Sequence, residues 1–187
     1  MAAKWIASAM GTLERPGTVG SFRFLVAVVP LLCGLTGVFV ANIPVSLLGG
    51  VVPPPLLGLV PVYFWCLVRP DLMPPSAAFA IGLAEDVLSG GPPGVWTLAF
   101  VLTYAVVARQ RDSFAGLSGL VAVVGFAAAS AFASLIAYLV TAALNWHLPL
   151  PAPILSELAM TVIFYAPAAY LIGAIHRRFV GPMRSDP

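Results

Sequence analysis

The sequence predicts an all-α membrane protein of about six transmembrane helices, and three observations carry that expectation. Of 187 residues, 60% are hydrophobic and only 9% are charged, against about 25% charged in a soluble domain. Mean hydropathy is +1.01. Apolar runs are punctuated by Pro, Gly and charge at intervals close to the roughly 20 residues that cross a bilayer. Nine Lys and Arg against seven Asp and Glu leave a net charge of +2, too small and too dispersed to follow a phosphate backbone, so nucleic acid is excluded as the main partner.

Residues 1–23 carry Lys4, Glu14, Arg15 and Arg23, are broken by Pro16-Gly17 and lack a cleavable apolar leader; they read as a cytoplasmic tail. No charge follows from Phe24 to Val68. Asn42, Pro44, Gly49-Gly50 and Pro53-Pro54-Pro55 divide that stretch into spans at about 24–42 and 55–68, the second too short for a bilayer unless its neighbours shelter it. After the turn Arg69-Pro70-Asp71, a third span starts near Pro74-Pro75 and ends near Ser89, because proline at a helix start loses no needed donor. Gly90-Gly91-Pro92-Pro93-Gly94 forms a tight turn into a fourth span at about 95–108, closed by Arg109, Arg111 and Asp112. A fifth lies within 114–144, and a sixth runs from about 154 to 175 after the alternating prolines 149, 151 and 153. Residues 24–176 form one transmembrane domain and 177–187 a second cytoplasmic tail. With six spans and the N-terminus inside, every Lys and Arg falls on the cytoplasmic side, as short loops require. A five-span count would bury Glu85, Asp86 and a Gly-Pro turn in one helix.

Charged groups within spans are costly and call for a role. Glu85 and Asp86 sit near the outer end of span three and Glu157 one turn into span six, at a shared depth. The adjacent pair points about 100° apart on a helix and cannot act as a facing acid and base. Asp86 follows Gly82 and Ala78 at four-residue spacing, on a side that packs closely, where its carboxylate can accept N–H groups of the Gly90–Gly94 turn; a polar site or partner contact is the other reading. Glu157 is either a helix-start residue favoured by the macrodipole or part of such a site. In span five Gly125, Ala129 and Ala133, with Ser130 and Ser134, form a small-residue surface for another helix, inside the bundle or on a partner.

The remaining candidates are weak. Cys33 and Cys66 lie in apolar runs as small hydrophobes. His147 and His176 fall at opposite membrane faces, so they share no metal. Gly116-Leu117-Ser118-Gly119 matches an intramembrane serine-protease pattern, but the histidine nearest it in depth, His176, is followed at once by two cytoplasmic arginines. Trp65 and Trp146 read as interfacial aromatics, and Pro167 as a kink in span six. No cofactor motif is present.

The run Pro61-Val62-Tyr63-Phe64-Trp65, then Arg69-Pro70, then Gly82-Leu83-Ala84-Glu85-Asp86 through Gly90-Gly91-Pro92-Pro93-Gly94 resembles the rod shape-determining family MreD. The likeness covers about residues 56–112 and places the family motif on Gly82, Asp86, Gly90, Pro92 and Gly94; Pro93 and the Pro-rich first outer loop depart from it. The resemblance implies a fold like the substrate-binding components of energy-coupling-factor transporters. It also implies a non-enzymatic protein of the bacterial inner membrane that keeps cell shape and organises lateral peptidoglycan synthesis. Its implied partners are an MreC-like protein, MreB, RodA and a class B penicillin-binding protein. A vitamin-like small-molecule binding component of a transporter is the alternative, with Glu85, Asp86, Glu157, Asn145 and Trp146 gathered at the outer end.

Overall fold

The computed structural model describes residues 16–43, 53–114, 120–146 and 148–180. All regular structure among them is helical: α1 (Pro16–Ala41), α2 (Leu59–Val68), α3 (Pro75–Ser89), α4 (Val95–Phe114), α5 (Leu120–Asn145) and α6 (Pro151–Ile175), with a 3-10 turn at Pro70–Leu72 and a π turn at His176–Val180.

Helix starts follow proline chemistry. Pro16, Pro75 and Pro151 each open a helix, where a missing N–H leaves nothing unpaired. This corrects two expected boundaries. α1 begins at Pro16 rather than near residue 24, and α6 takes Pro151 and Pro153 into its first turn rather than starting after them. α4 also runs past residue 108 through Arg109 and Arg111 to Phe114, because exposed arginines are good helix formers and do not end a helix. α3 stops at Ser89 because Gly90 takes φ +66°, a left-handed cap natural to glycine.

Five of the helices succeed one another around the sixth. α1 packs on α3, α3 on α4, α4 on α5 and α5 on α6, while short α2 touches α1, α4, α5 and α6. At 10 residues α2 is about 15 Å long, half the thickness of a bilayer core, and it is sheltered on all sides by its neighbours. Leu59, Val60, Pro61, Val62, Tyr63, Trp65 and Cys66 are all buried. Trp65 is therefore a core residue at 0% exposure rather than an interfacial one, whereas Trp146, at 94%, is fully presented. Below Trp65 the ring of Tyr63 meets Phe126 edge-on at 5.4 Å, and Phe126 stacks on Tyr165 at 4.2 Å, joining α2, α5 and α6. Between α6 and α1 the ring of helices is parted by an apolar groove of about 420 Å³.

The helices Leu120–Asn145 and Pro151–Arg178 are long and apolar enough to cross a membrane by length and composition. Only 39% and 22% of their most apolar stretches are buried inside the protein. Leu120, Val124, Leu135, Leu139, Leu155, Ile163 and Leu171 all face outward.

The arginines of the helix ends gather at one pole. Arg69, Arg109, Arg111, Arg177 and Arg178 follow or end α2, α4 and α6, and Arg69 pairs with Asp71 through Nη2–Oδ2 at 2.9 Å and Nε–Oδ1 at 3.1 Å. That guanidinium holds the Asp71 carboxyl below the usual carboxylate range. At the same pole the Tyr104 hydroxyl donates to Met73 O at 2.8 Å, binding α4 to the start of α3.

Candidate functional site

At the opposite pole, α3 turns into α4 around Asp86. The Gly94 N–H donates to Asp86 Oδ2 at 2.9 Å, the Trp96 N–H to Oδ1 at 2.8 Å, and the Thr97 N–H and hydroxyl to Oδ2 at 3.0 and 2.5 Å. The three backbone donors are free amides of the kind every helix leaves at its N-terminus. Asp86 thus caps α4 from the helix before it, and its negative charge meets the positive end of the α4 dipole. Thr97, which sequence reading did not single out, supplies two of the three contacts to Oδ2.

The glycines explain the approach. A Cβ on Gly82 would stand 2.7 Å from Thr97 Cα and 3.0 Å from Trp96 O, so only glycine lets α3 touch the α4 backbone there. Gly94 has φ +94° and Gly90 +66°, and these two turn residues carry the reversal. Pro92 and Pro93 lie exposed at its tip. The four-residue spacing Gly82, Asp86, Gly90, Gly94 is the pattern of a locked helical hairpin.

Glu85 points elsewhere. It is 2% exposed, and its Oε1 accepts from Asn42 Nδ2 of α1 at 3.1 Å. The same amide nitrogen donates to Val38 O at 3.0 Å, which fixes the end of α1. Glu85 Oε2 is buried with no partner. Glu157, in the second turn of α6, stands at the same end of the bundle as Glu85, near the end of α3. Thr161, one turn on, is fully buried; its hydroxyl donates to Glu157 O at 2.7 Å and accepts from Leu56 N at 2.9 Å. Thr161, like Thr97, was missed by sequence reading, and Asn42 was read only as a break between spans. Each is a lone polar group in an apolar run, and that isolation was the available signal.

The other candidates separate. Ala129 and Ala133 are 9% and 0% exposed, and with Ser130, Ser134 and Ala137 they form the buried face of α5. Asn145 is exposed at the end of α5, its amide donating to Thr141 O at 2.9 Å, and Trp146 faces outward, so the outer-end gathering expected for Trp146 does not form. His176 packs edge-on to Trp65 at 5.4 Å. Ser118 and His147 lie outside the described residues. A cleft of about 540 Å³ opens beside the hairpin turn, lined by Gly91, Pro92, Trp96, Thr141, Leu150 and Ile154 among others. Among the described residues no group of three or more His, Cys, Asp or Glu is placed to hold a metal ion.

Comparison with protein families, with characterised proteins and with solved structures finds no match for this chain.

Proposed function

We propose that this chain is a multi-pass, non-enzymatic membrane scaffold of the MreD type. In this reading it sits in a bacterial inner membrane and organises the machinery that builds the lateral wall. The observation that carries the reading is the use made of Gly82, Asp86, Gly90 and Gly94. All of the motif's polar capacity goes into locking α3 against α4, which suits a residue set kept for shape rather than for reaction. The membrane setting is supported by the outward-facing apolar sides of α5 and α6, which water would penalise at about 25 cal/mol per Å². Six spans with both termini cytoplasmic accord with the gathering of helix-end arginines at one pole and of Glu85, Asp86 and Glu157 at the other. An MreC-like protein is the proposed direct partner, with MreB, RodA and a class B penicillin-binding protein in the same assembly.

The cleft beside the turn favours a second reading, a small-molecule binding component. Among its lining side chains only Trp96 and Thr141 offer polar atoms, fewer than a vitamin-like ligand demands for orientation. Affinity purification from membranes separates the two. Recovery of an MreC-like protein and wall synthases supports the scaffold; an ATPase module together with a retained small molecule overturns it.

A further inference from the structure

The ring of helices stays open between α1 and α6. α1 rests on the chain that leads into α2: a Cβ on Gly37 would stand 2.7 Å from Leu57 O, so the two backbones touch there. Leu57 and Pro61 form the floor of the groove, α1 from Val29 to Val40 one wall, and α6 from Ala168 to Ile175 the other. Among the described residues that line it, only Cys33 and Thr36 carry a side-chain heteroatom. Leu32, Val40 and Leu171 on its rims are exposed.

Its dimensions select an occupant. From Val29 to Val40 α1 rises about 16 Å, half of the roughly 30 Å hydrocarbon core and so the depth of one leaflet. The 420 Å³ of the groove, spread over that rise, leaves a mean cross-section of about 25 Å². A helix with its side chains, 10–12 Å across, fills roughly 80 Å² or more, so a partner helix is too wide to enter. A single hydrocarbon chain fits, and it restores the dispersion contacts that an empty slot forfeits.

The inner mouth of the groove supplies charge. Ile175 is followed at once by the turn His176–Val180, in which Arg177 and Arg178 are exposed. Arg177 folds back along α6, its Nη1 lying 3.5 Å from where a Cβ on Gly173 would stand, level with Ile172 and Ile175 of the groove wall. Guanidinium groups grip phosphate oxygens through paired hydrogen bonds. In the orientation proposed above this pole faces the cytoplasm, and Arg69, Arg109 and Arg111 at the same end favour an anionic headgroup over a zwitterionic one.

We propose that the groove between α1 and α6 holds one acyl chain of an anionic phospholipid of the cytoplasmic leaflet, with the lipid's phosphate on Arg177 and Arg178. The site rests on the membrane setting and orientation proposed above, and not on the scaffold role or on any partner.

The test uses the purified full chain in mixed micelles of an uncharged detergent. The chain has two cysteines; Cys33 lines the groove and Cys66 is 0% exposed, so maleimide labelling reports on the groove without a variant. Phosphatidylglycerol should slow labelling of Cys33 saturably, by about tenfold at ten times its dissociation constant, and should bind about tenfold more tightly than phosphatidylcholine. Native mass spectrometry should show one phosphatidylglycerol retained per chain. Thr36→Trp, which puts an indole into the slot from an exposed position of α1, should abolish retention, whereas Val124→Trp on the exposed side of α5 should not. Arg177→Gln combined with Arg178→Gln should erase the preference for phosphatidylglycerol. No saturable protection, equal binding of the two lipids, retention undiminished in Thr36→Trp, or a preference untouched by the arginine replacements would each overturn the proposal. A photo-crosslinker on Cys33 that captures a protein rather than lipid in native membranes would also overturn it and assign the groove to a partner. A chain that stays dispersed without detergent would overturn the membrane setting and this site with it, whereas failure to recover wall-synthesis partners would bear on the scaffold role alone.

Discussion

Replacing Asp86 with alanine removes the acceptor for three backbone amides and one hydroxyl at the start of α4. Gly94 is exposed, so its N–H regains water. The Thr97 hydroxyl can rotate toward another acceptor. Trp96 and Thr97 are half-buried and buried, and their amides are stranded at about 1–3 kcal/mol each. Neighbouring losses do not add fully, which brings the expected destabilisation to about 3–4 kcal/mol, above an ordinary N-cap loss of roughly 1 kcal/mol. Asp86→Asn can keep an oxygen in the Oδ2 position, where three of the four donors converge. It turns an amide toward the Trp96 N–H and should cost about 1–2 kcal/mol. Unfolding in mixed micelles, followed by tryptophan fluorescence, measures both. Under the proposed scaffold function, the alanine variant in cells at matched membrane abundance should lose partner recovery and rod shape more than the asparagine one. Wild-type stability in Asp86→Ala would refute the capping argument.

The remaining expectations rest on separate contacts. Gly82→Ala should destabilise, because its Cβ meets backbone at 2.7 Å, whereas Gly91→Ala, whose nearest neighbour is Ser89 Oγ at 3.7 Å, should be close to neutral in the same assay. Ala133→Leu should lower membrane abundance, since Ala133 is fully buried within the bundle and extra volume in a packed core costs about 1–3 kcal/mol; unchanged abundance with lost partner recovery would place that face outside. Asp71, with its folded carboxyl held low by Arg69, contributes stability that is present above the ordinary carboxylate range near pH 4 and is lost as pH falls through the lowered folded value. The side chain is 58% exposed, so the effect on stability is small, and Arg69→Ala should be read by NMR as an upward move of the Asp71 titration.

Local chemistry made parts of this fold legible. Pro74-Pro75 and Gly90 bound α3 because a missing donor and a left-handed cap act within one turn, and the Gly82-to-Asp86 spacing put the carboxylate on the packing side for the same reason. What failed was whatever depends on the apolar surroundings. Hydropathy is the same for a lipid-facing and a core-facing residue, so Trp65 read as interfacial although α2 is enclosed. Proline read as a boundary before α6, yet Pro151 and Pro153 occupy the turn where an absent N–H costs nothing. The meeting of Glu85 with Asn42 depends on how α1 and α3 pack, and no periodicity within one helix encodes that.

Glu85 and Asp86 are neighbours in the chain but belong to different energetic units, and a double-mutant cycle should expose the division. The 100° step of a helix sends Asp86 to α4, where its charge is wanted, and Glu85 to α1, where it meets the Asn42 amide. At alkaline pH, where protons are scarce, Glu85→Gln and Glu157→Gln, which alter two carboxylates at one end of the bundle, should each relieve the same repulsion. The double variant should then gain less than the sum, with a coupling of about 0.5–3 kcal/mol. Asp86→Asn combined with Glu157→Gln should be additive to within about 0.5 kcal/mol, because the Asp86 charge is held by the α4 amides. Additivity for the first pair, or strong coupling for the second, would show that the charges are apportioned between helices differently from the geometry described above.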